Sequence, residues 1–453
     1  MIVHPIDYRY GTPEMKRIWS EESKVRRMVW VEITLLKALS EIGHLSREDY
    51  LRAKENSRKI TIERIKEIES EIKHDVMSLV MAITEVSGKA GRWVHFGATS
   101  NDITDTAVAT QLRDALKILE SKLIGLIRIL SERAIDHKKT ICLGRTHGQP
   151  ALPVTYGFRF AVWVSELLRH FERLCQMRER LLVGQLSGAV GTQAAYGDEG
   201  IEIEKKVMMY LNLKPADISS QIVPRDIYCE YVEFLANLST TLEKMALNIR
   251  LWQRSETQEV FERFDLEKQV GSSTMPHKRN PVDSEQICGL ARIIRGFVEP
   301  QHQSSILWEE RDLTNSSAER ITLVEATVLT DHILTKTIRL IRNLEIDAEK
   351  ARENLERYLG INLTEAVMIA LTKKGISRQI AHEILRRNAM RAYETNKSLR
   401  DVLLEDEEVL RYLTPNEIED LLNPEKYLGT AFRKIDSVVE KAKDTVKRFE
   451  GGS

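Results

Sequence analysis

The sequence has few cysteines, prolines and glycines. Its 453 residues include four cysteines, 11 prolines and 22 glycines. The cysteines lie far apart and form no Cys-x-x-Cys pair, which argues against both a disulfide framework and a structural zinc site. Neither a His-Glu-x-x-His pattern nor a carboxylate-rich loop suggests another metal. We therefore expect reduced thiols, a cytoplasmic location and no bound metal.

An excess of charge of one sign and a long apolar run are also absent. The sequence contains 67 Lys and Arg residues against 68 Asp and Glu residues, which gives a formal net charge of -1. This balance favours neither nucleic acid nor a membrane surface as a partner. No apolar run reaches the length of a membrane span, and the first residues, MIVHPIDYRYGTPEM, contain no signal peptide.

Two long windows contain neither glycine nor proline, one between Pro224 and Gly271 and one between Pro300 and Gly360. In the first window, apolar residues recur at alternating steps of four and three, the period of about 3.5 residues typical of long bundle helices. They are Tyr231, Leu235, Leu238, Leu242, Met245, Ile249 and Trp252. The stretches 103–139, 157–183 and 317–345 are also long and amphipathic. The sequence therefore predicts an all-α fold with a central bundle of very long helices.

Changes in the pattern predict three helical domains. Short segments broken by glycines give way near residue 105 to the first long helix, and the segment NLEIDAEKARENL near residue 346 contains a new Asp-initiated helix start. We expect an N-terminal domain at 1–105, a central bundle at 106–346 and a C-terminal domain at 347–453. The long helices carry large apolar stripes that one chain would struggle to cover, so we expect a homo-oligomer.

Four polar segments interrupt the helical pattern: HFGATSND at 95–102, GRTHGQPALP at 144–153, GSSTMPHKRNP at 271–281 and WEERDLTNSSAER at 308–320. The first is either a site or simply a helix N-cap. The second flanks His147 with glycines, as a proton shuttle would require. The third lacks the spacing of a phosphate-binding P-loop, which leaves a catalytic loop or a connector. The fourth either binds a phosphate or carboxylate group or is simply a solvated helix start with ion pairs between residues four positions apart.

Together these segments suit an elimination next to a carboxylate. Removing a proton from the carbon beside a carboxylate creates a doubly charged intermediate, which Lys278 and Asn280 are the right residue types to stabilise. Such a reaction needs a base, for which the loop offers serines, and an acid, for which His147 is the candidate. No glycine-rich nucleotide fingerprint is present, so no cofactor is expected.

The loop GSSTMPHKRNP resembles the signature GSSxMPxKxNP of the fumarase/aspartase superfamily. The remaining motifs resemble the adenylosuccinate lyase family within it, over nearly the whole length and in the family's order. They are RYGTPEMKRIW, KHDVMS at 73–78, HFGATSND, RTHGQPA, SSQIVPRD at 219–226, WEERDLTNSSAER, GISRQIAHEILRRNAM and LNPEKYLGTAF.

This resemblance implies a three-domain helical subunit in a homotetramer in which each active site draws on three chains. It implies two reactions of purine biosynthesis that release fumarate: adenylosuccinate to AMP, and succinylaminoimidazole carboxamide ribotide to its carboxamide product. No cofactor or metal is implied. Two alternatives remain open: another fumarate-releasing lyase, such as one for argininosuccinate, and a non-catalytic helical scaffold.

The resemblance also implies roles for individual residues. Ser272 matches the general base and His147 the general acid that protonates the leaving nitrogen. Lys278 and Asn280 match residues that stabilise the carboxylate charge, and Glu285 matches the group that orients the acid histidine.

Further positions match substrate-binding residues. His74, which we group with the catalytic residues, and His95 match histidines near the phosphate and the purine or ribose. The chain has Lys73 where the family usually has Arg, and Gln286 where some members have Arg, so these contacts differ. The remaining positions are Arg9, Tyr10, Lys73, Asp75, Thr99, Ser100, Thr146, Gln221, Ser273, Arg311, Ser316 and Arg320.

Overall fold

The computed structural model describes residues 3–264, 273–275 and 277–451. Helices dominate. The α helices are α1 Pro5–Tyr8, α2 Pro13–Trp19, α3 Glu21–Glu41, α4 Arg47–Asn56, α5 Ile62–Ile72, α6 Asp75–Ser87, α7 Ser100–Asp136, α8 Tyr156–Leu181, α9 Gly200–Leu211, α10 Asp226–Gln253, α11 Val282–Gly296, α12 Val298–Gln303, α13 Thr314–Arg342, α14 Ala348–Glu356, α15 Thr364–Lys373, α16 Arg378–Thr395, α17 Leu399–Leu404, α18 Glu407–Leu410, α19 Pro415–Leu421 and α20 Ala431–Gly451.

Short strands and 3-10 turns connect the helices. Strand β1 (Ile141–Thr146) pairs antiparallel with β2 (Gln149–Thr155), β3 (Val183–Gly184) pairs parallel with β4 (Lys214–Pro215), and β5 (Val260–Phe261) pairs antiparallel with β6 (Glu345–Ile346). The 3-10 helices are Ser57–Lys59, Gly88–Trp93, Gly197–Glu199, Ile361–Leu363 and Pro424–Lys426.

The predicted helical periodicity is confirmed in α10. The apolar positions from Tyr231 to Ile249 that define the 3.5-residue period are fully buried, and Trp252 is nearly so. Local capping fixes many helix starts, because the Oγ of a serine or threonine accepts a hydrogen bond from the N–H three residues later, as at Ser20 and Thr61. Asp347 begins α14 in the same way, as the sequence indicated.

The chain divides into two compact units. The first comprises Met1–Leu123, His170–Leu242 and Gly289–Thr335. Its core includes Leu35 and Leu39 of α3, Ile83 of α6 and Met208 of α9. Within this unit, the Tyr231 hydroxyl of α10 lies 2.7 Å from the Thr327 hydroxyl of α13.

The second unit comprises Ile124–Arg169, Glu243–Cys288 and Lys336–Ser453. One of its core clusters joins α15 to α19 around Val367, Leu371, Leu399 and Ile418. The β1–β2 hairpin, which was not predicted, also belongs to this unit.

The prediction of an all-α fold is confirmed, with short strands as minor additions. The three-domain division stays a prediction, because the two units interleave segments of the chain. In the part of the chain that the structure describes, no helix is long and apolar enough to span a membrane.

Candidate active site

The candidate acid His147 lies at the tip of the β1–β2 hairpin. Thr146 pairs with Gln149, so His147 and Gly148 form a two-residue turn, and both have positive φ, 54° and 74°. Positive φ at both central positions is the geometry of a type I′ turn, whose twist matches that of paired strands. The tip is exposed, so His147 projects from the body of its own unit.

A close backbone approach shapes the same hairpin. The register shifts between Leu143 and Arg145. At Gly144 a Cβ would lie 2.4 Å from the Leu152 carbonyl oxygen, so only glycine fits there.

A buried carboxylate anchors the base of this hairpin. Glu259 has no exposed surface and accepts hydrogen bonds from Arg145 Nη2 at 2.7 Å, Tyr156 Oη at 2.5 Å and Asn354 Nδ2 at 2.9 Å. Burial lowers the pKa of Arg145, but the hydrogen bond and charge of Glu259 outweigh that effect and raise it overall. Glu259 therefore ties β1, two residues before His147, to α8 and α14.

The signature loop is described only in part. Ser272, the predicted base, lies outside the described residues. Ser273 and Lys278 are exposed and Asn280 is half-buried, while the Lys278 N–H donates to the Met275 carbonyl at 3.0 Å.

The end of the loop is fixed where α11 begins. The carboxylate of Glu262 accepts hydrogen bonds from the N–H groups of Asp283 at 3.0 Å and Ser284 at 2.8 Å. An acidic group at a helix N-terminus satisfies donors that the helix itself leaves unpaired. Glu285 is exposed in this first turn, and within the described residues no hydrogen bond or ion pair joins it to His147.

Around the predicted phosphate-side histidine, the first unit brings several charged groups together. His74 caps α6, and its Nδ1 accepts from the Met77 N–H at 3.2 Å. The neutral ring therefore carries its proton on Nε2. The neighbouring Asp75 forms an ion pair with Arg320 at 2.9 Å. Lys73 precedes them in a left-handed conformation with φ 56°, and its Nζ donates to the Ser70 carbonyl.

A further cation beside this pair was not predicted. Half-buried Lys24 of α3 has a lowered pKa, first because of burial and then because of the positive charge of Arg320. Lys24 and Arg320 are far apart in the sequence, so no local motif could have placed Lys24 near the predicted site.

His95 is held by a second buried carboxylate. Glu32 of α3 is fully buried and accepts from the His95 backbone N–H at 3.0 Å and from its ring Nδ1 at 2.7 Å. Burial lowers the pKa of His95, but the hydrogen bond and charge of Glu32 outweigh that effect and raise it overall.

The segment after His95 is ordered by a third buried carboxylate. Asp102 accepts from the N–H groups of Thr99 at 2.9 Å, Ser187 at 2.9 Å and Gly188 at 3.0 Å. Burial raises the pKa of Asp102 despite these bonds. Thr99 and Ser100 thus stand half-buried where α7 begins, and Asp102 also binds the backbone at 187–188. The segment does start a helix, and its role as a site stays a prediction.

Gln221 and Arg311 are in direct contact. Arg311 Nη1 donates to Gln221 Oε1 at 3.1 Å, and Gln221 Nε2 donates to the Ala189 carbonyl at 2.9 Å. Burial lowers the pKa of Arg311, whose Nε is buried without a hydrogen-bond partner in the described chain.

Arg225 fixes the Gln221 segment. Buried Arg225 forms two hydrogen bonds with Asp105, at 2.7 and 2.9 Å, and one with Glu319 at 3.0 Å. Charge-assisted bonds of this kind hold a loop in a single geometry.

The other predicted residues lie at helix ends. Arg9 is exposed just after α1, and the half-buried Tyr10 ring packs edge-on against His332 with centroids 5.5 Å apart. Ser316 is half-buried in the first turn of α13.

Comparison with known proteins gives this geometry a family. Residues 7–296 match the lyase family, and residues 360–438 match the family described as adenylosuccinate lyase C-terminus. The adenylosuccinate lyase of Archaeoglobus fulgidus is 64% identical over 99% of this chain and 100% of its own length. The adenylosuccinate lyase of Methanocaldococcus jannaschii is 48% identical over 98% of this chain and 97% of its own length.

The chain belongs to the adenylosuccinate lyase family.

Solved structures agree on the fold of this adenylosuccinate lyase family member. A fumarate lyase from a Mesorhizobium species has a TM-score of 0.87 and 31% identity, over 95% of this chain and 98% of its own. The 3-carboxy-cis,cis-muconate lactonizing enzyme of Pseudomonas putida has a TM-score of 0.88 and 31% identity, over 97% of this chain and 99% of its own.

Sequence reasoning missed the buried carboxylates of this adenylosuccinate lyase family member. Glu32, Asp102 and Glu259 each bind a predicted site residue or a close neighbour of one. Asp102 lay within a motif and was interpreted only as a helix cap. Glu32 lies within the long helix α3, and Glu259 lies in the charged segment between α10 and β5. An acidic residue in either context is usually a solvent-facing position.

Proposed function

We propose that this chain cleaves adenylosuccinate to AMP and fumarate, and succinylaminoimidazole carboxamide ribotide to its carboxamide product and fumarate. The observation that carries the proposal is 64% identity, over the full length, to a protein named adenylosuccinate lyase. This chain also contains each residue type that the elimination needs: an acid candidate, a base candidate and cations for the intermediate.

In the proposed reaction, Ser272 removes a proton from the succinyl carbon next to a carboxylate. The electron pair left on that carbon is delocalised into the carboxylate, where Lys278 and Asn280 stabilise the added charge. The pair then forms the double bond of fumarate as the carbon–nitrogen bond breaks. His147 donates a proton to the departing nitrogen, which completes AMP or, from the second substrate, the carboxamide product.

The turn at His147 suits the role of an acid. An exposed tip allows the imidazole to reach a substrate, and the strands below it are fixed by Glu259 through Arg145. We assign to Glu285 the orientation of this imidazole.

We assign the substrate's anionic groups to the cations and donors of the first unit. Lys73, His74 and Arg320 contribute charge or hydrogen-bond donors around Asp75, and the Nε of Arg311 is buried without a hydrogen-bond partner among the described residues. Such donors suit phosphate and carboxylate oxygens. Arg9, Tyr10, His95, Thr99, Ser100, Thr146, Gln221, Ser273 and Ser316 complete the proposed binding residues.

We propose a homotetramer with shared active sites. Val162, Leu247 and Leu251 on the long helices α8 and α10 have exposures of 43%, 44% and 40%, an apolar surface that another copy of this chain would cover. Among the described residues no hydrogen bond or ion pair joins His147 to Glu285 within one chain, which also favours a partner for His147 from another subunit. Light scattering at micromolar concentration is expected to give four times the chain mass, and a monomer would contradict the proposal.

We place the protein in the cytoplasm. All four cysteines lie in the described residues, and no disulfide joins them. Cys142 is buried, and burial raises the pKa of its thiol to about 12. A thiol that stays protonated is unreactive, as suits a structural cysteine in a reducing compartment.

Substrate turnover tests the proposed function. The purified chain is expected to convert adenylosuccinate to AMP and fumarate, with each product quantified by chromatography. Argininosuccinate is the control substrate, because it releases fumarate from a different leaving group. Turnover of argininosuccinate without turnover of adenylosuccinate would reassign the chain within the superfamily, and turnover of neither would support a non-catalytic scaffold.

A further inference from the structure

We propose that Glu32 is a positioning residue that orients the His95 imidazole and keeps a proton on its Nδ1, so that a second proton on Nε2 makes the ring a charged donor towards the substrate. This inference rests on the proposed function, in which His95 contacts the substrate. The residue is unassigned by any motif and lies 63 positions from His95 in the chain.

The contact is a two-point clamp. One oxygen of Glu32 accepts from the His95 backbone N–H at 3.0 Å, and the other lies 2.7 Å from the ring Nδ1. A carboxylate can only accept, so Nδ1 carries the hydrogen and donates it. Backbone and ring are thus tied to the same buried group, which removes the freedom of both.

The backbone of His95 supports a positional role. Its φ is 59°, in the left-handed region that non-glycine residues seldom adopt. Such a conformation costs free energy and persists where surrounding contacts determine it. Glu32 supplies the contact at the N–H, and the neighbouring Gly97, whose Cβ would lie 2.6 Å from the Tyr196 ring, leaves no room for the segment to shift.

The groups around the ring show that Glu32 is the acidic residue with the strongest influence on protonation of the His95 imidazole. Besides Glu32 of α3, Asp102 of α7 also favours the protonated imidazole, while burial opposes it. Tyr196 and Glu204 lie near the same carboxylates, and burial raises the pKa of each. Glu32 is the group that makes both a hydrogen bond and a charge interaction with His95.

The substitution Glu32→Gln should reverse the proton placement. The amide oxygen would still accept from the His95 N–H, but the amide nitrogen is a donor and would face Nδ1. Nδ1 would then have to accept, and the neutral ring would carry its hydrogen on Nε2. With the carboxylate charge removed, burial would lower the pKa of His95.

Hydrogen–deuterium exchange at the histidine C2 position, resolved by peptide mass spectrometry, measures this effect without using activity. We expect the His95 exchange midpoint in Glu32→Gln to lie at lower pH than in the wild type. Glu204→Gln is the matched control, because Glu204 is another acidic residue of the same unit that accepts a hydrogen bond from a backbone N–H, that of Leu186 at 2.9 Å. An unchanged His95 midpoint in Glu32→Gln, or an equal change in Glu204→Gln, would overturn the proposal.

Kinetics tests the consequence for the reaction. At neutral pH we expect Glu32→Gln to raise KM by up to about tenfold, because a smaller fraction of His95 carries the second proton, with kcat changed less. The two KM values should converge at low pH, where His95 is protonated in both proteins. In a His95→Asn background, Glu32→Gln should cause no further change in KM. A further loss there would show that Glu32 acts through general stability.

Glu32→Asp is a second variant that keeps the proposal testable if Glu32→Gln does not fold. It keeps the charge on a shorter side chain, and we expect its His95 exchange midpoint to lie between those of the wild type and Glu32→Gln. A midpoint at or below that of Glu32→Gln would contradict the assignment of the effect to charge. Wild-type protein that lacks turnover but shows the expected exchange midpoints would refute the proposed function alone.

Discussion

Replacing Glu259 with glutamine should disconnect the hairpin that carries His147. Glutamine has nearly the same volume, so the substitution leaves no cavity. It replaces a buried carboxylate that accepts from Arg145, Tyr156 and Asn354 with a group that has one oxygen acceptor and one donor. Arg145 then loses its ion-pair partner.

The size of the effect follows from burial. Removing one partner of a buried ion pair costs about 3–5 kcal/mol, and the side chain of Arg145 keeps an exposure of 24%, which lets water compensate in part. We therefore expect a loss of about 2–4 kcal/mol in unfolding free energy. Because Arg145 lies two residues before His147 on β1, the hairpin tip should also lose its fixed position, and a displacement of about 1 Å can lower kcat about 100-fold.

The assay compares kcat for adenylosuccinate with resistance to thermal inactivation. Glu166→Gln is the control, because it breaks the ion pair with Lys244 between α8 and α10 in the same unit but leaves the hairpin intact. We expect the control to lose stability with kcat within about twofold of the wild type. If Glu259→Gln also kept kcat within twofold while remaining folded, Glu259 would have no role in positioning His147.

Two further predictions concern the remaining ionic networks. Arg225→Met should cost about 3–5 kcal/mol of stability, because it removes the cation that forms ion pairs with the largely buried carboxylates of Asp105 and Glu319. Burial raises the pKa of Glu319, so the deficit in thermal stability should shrink as the pH falls and Glu319 protonates. A variant as stable as the wild type at neutral pH would refute the assignment. Glu417, whose pKa is lowered to about 2 by the hydrogen bond from Lys374 and by the capping box with Thr414, contributes stability above its ordinary pKa of 4.5 that is lost as the pH falls towards 2. Acid titrations of wild-type and Glu417→Gln protein should therefore converge near pH 2, and a constant difference in stability down to that pH would exclude this source.

The helices could be predicted from the sequence because their signal is local. The amphipathic stretches 103–139, 157–183 and 317–345 correspond to Ser100–Asp136, Tyr156–Leu181 and Thr314–Arg342. An apolar face that repeats with the helical period indicates a helix whichever element packs against that face, so the period alone was sufficient to predict these helices.

The β1–β2 hairpin was not predicted, because its local sequence signal is weak. Its turn is His147-Gly148, whereas the strong signals for a two-residue turn are Asn-Gly and Asp-Gly. Pro150 and Pro153 also argue against a strand, and they are tolerated here in a two-stranded ribbon, where a proline need not donate to a neighbour.

The buried carboxylates could not be predicted because their partners are distant. Glu32 and His95 are 63 residues apart, and Glu259 and Arg145 are 114 residues apart. Motifs indicated the groups that we propose to face the substrate, whereas the groups that hold them depend on tertiary packing. The role of Ser272 stays a prediction, since it lies outside the described residues.

The central claim is that His147 and Ser272 act as acid and base in one active site shared between subunits. Subunit mixing tests it directly: His147→Gln and Ser272→Ala are purified separately, each with activity lowered about 100-fold or more. The two inactive proteins are then combined under conditions of verified subunit exchange. We predict recovered adenylosuccinate cleavage in the mixed oligomers, because some sites receive both intact residues. No recovery despite verified exchange would place both residues on the same chain and contradict the shared site.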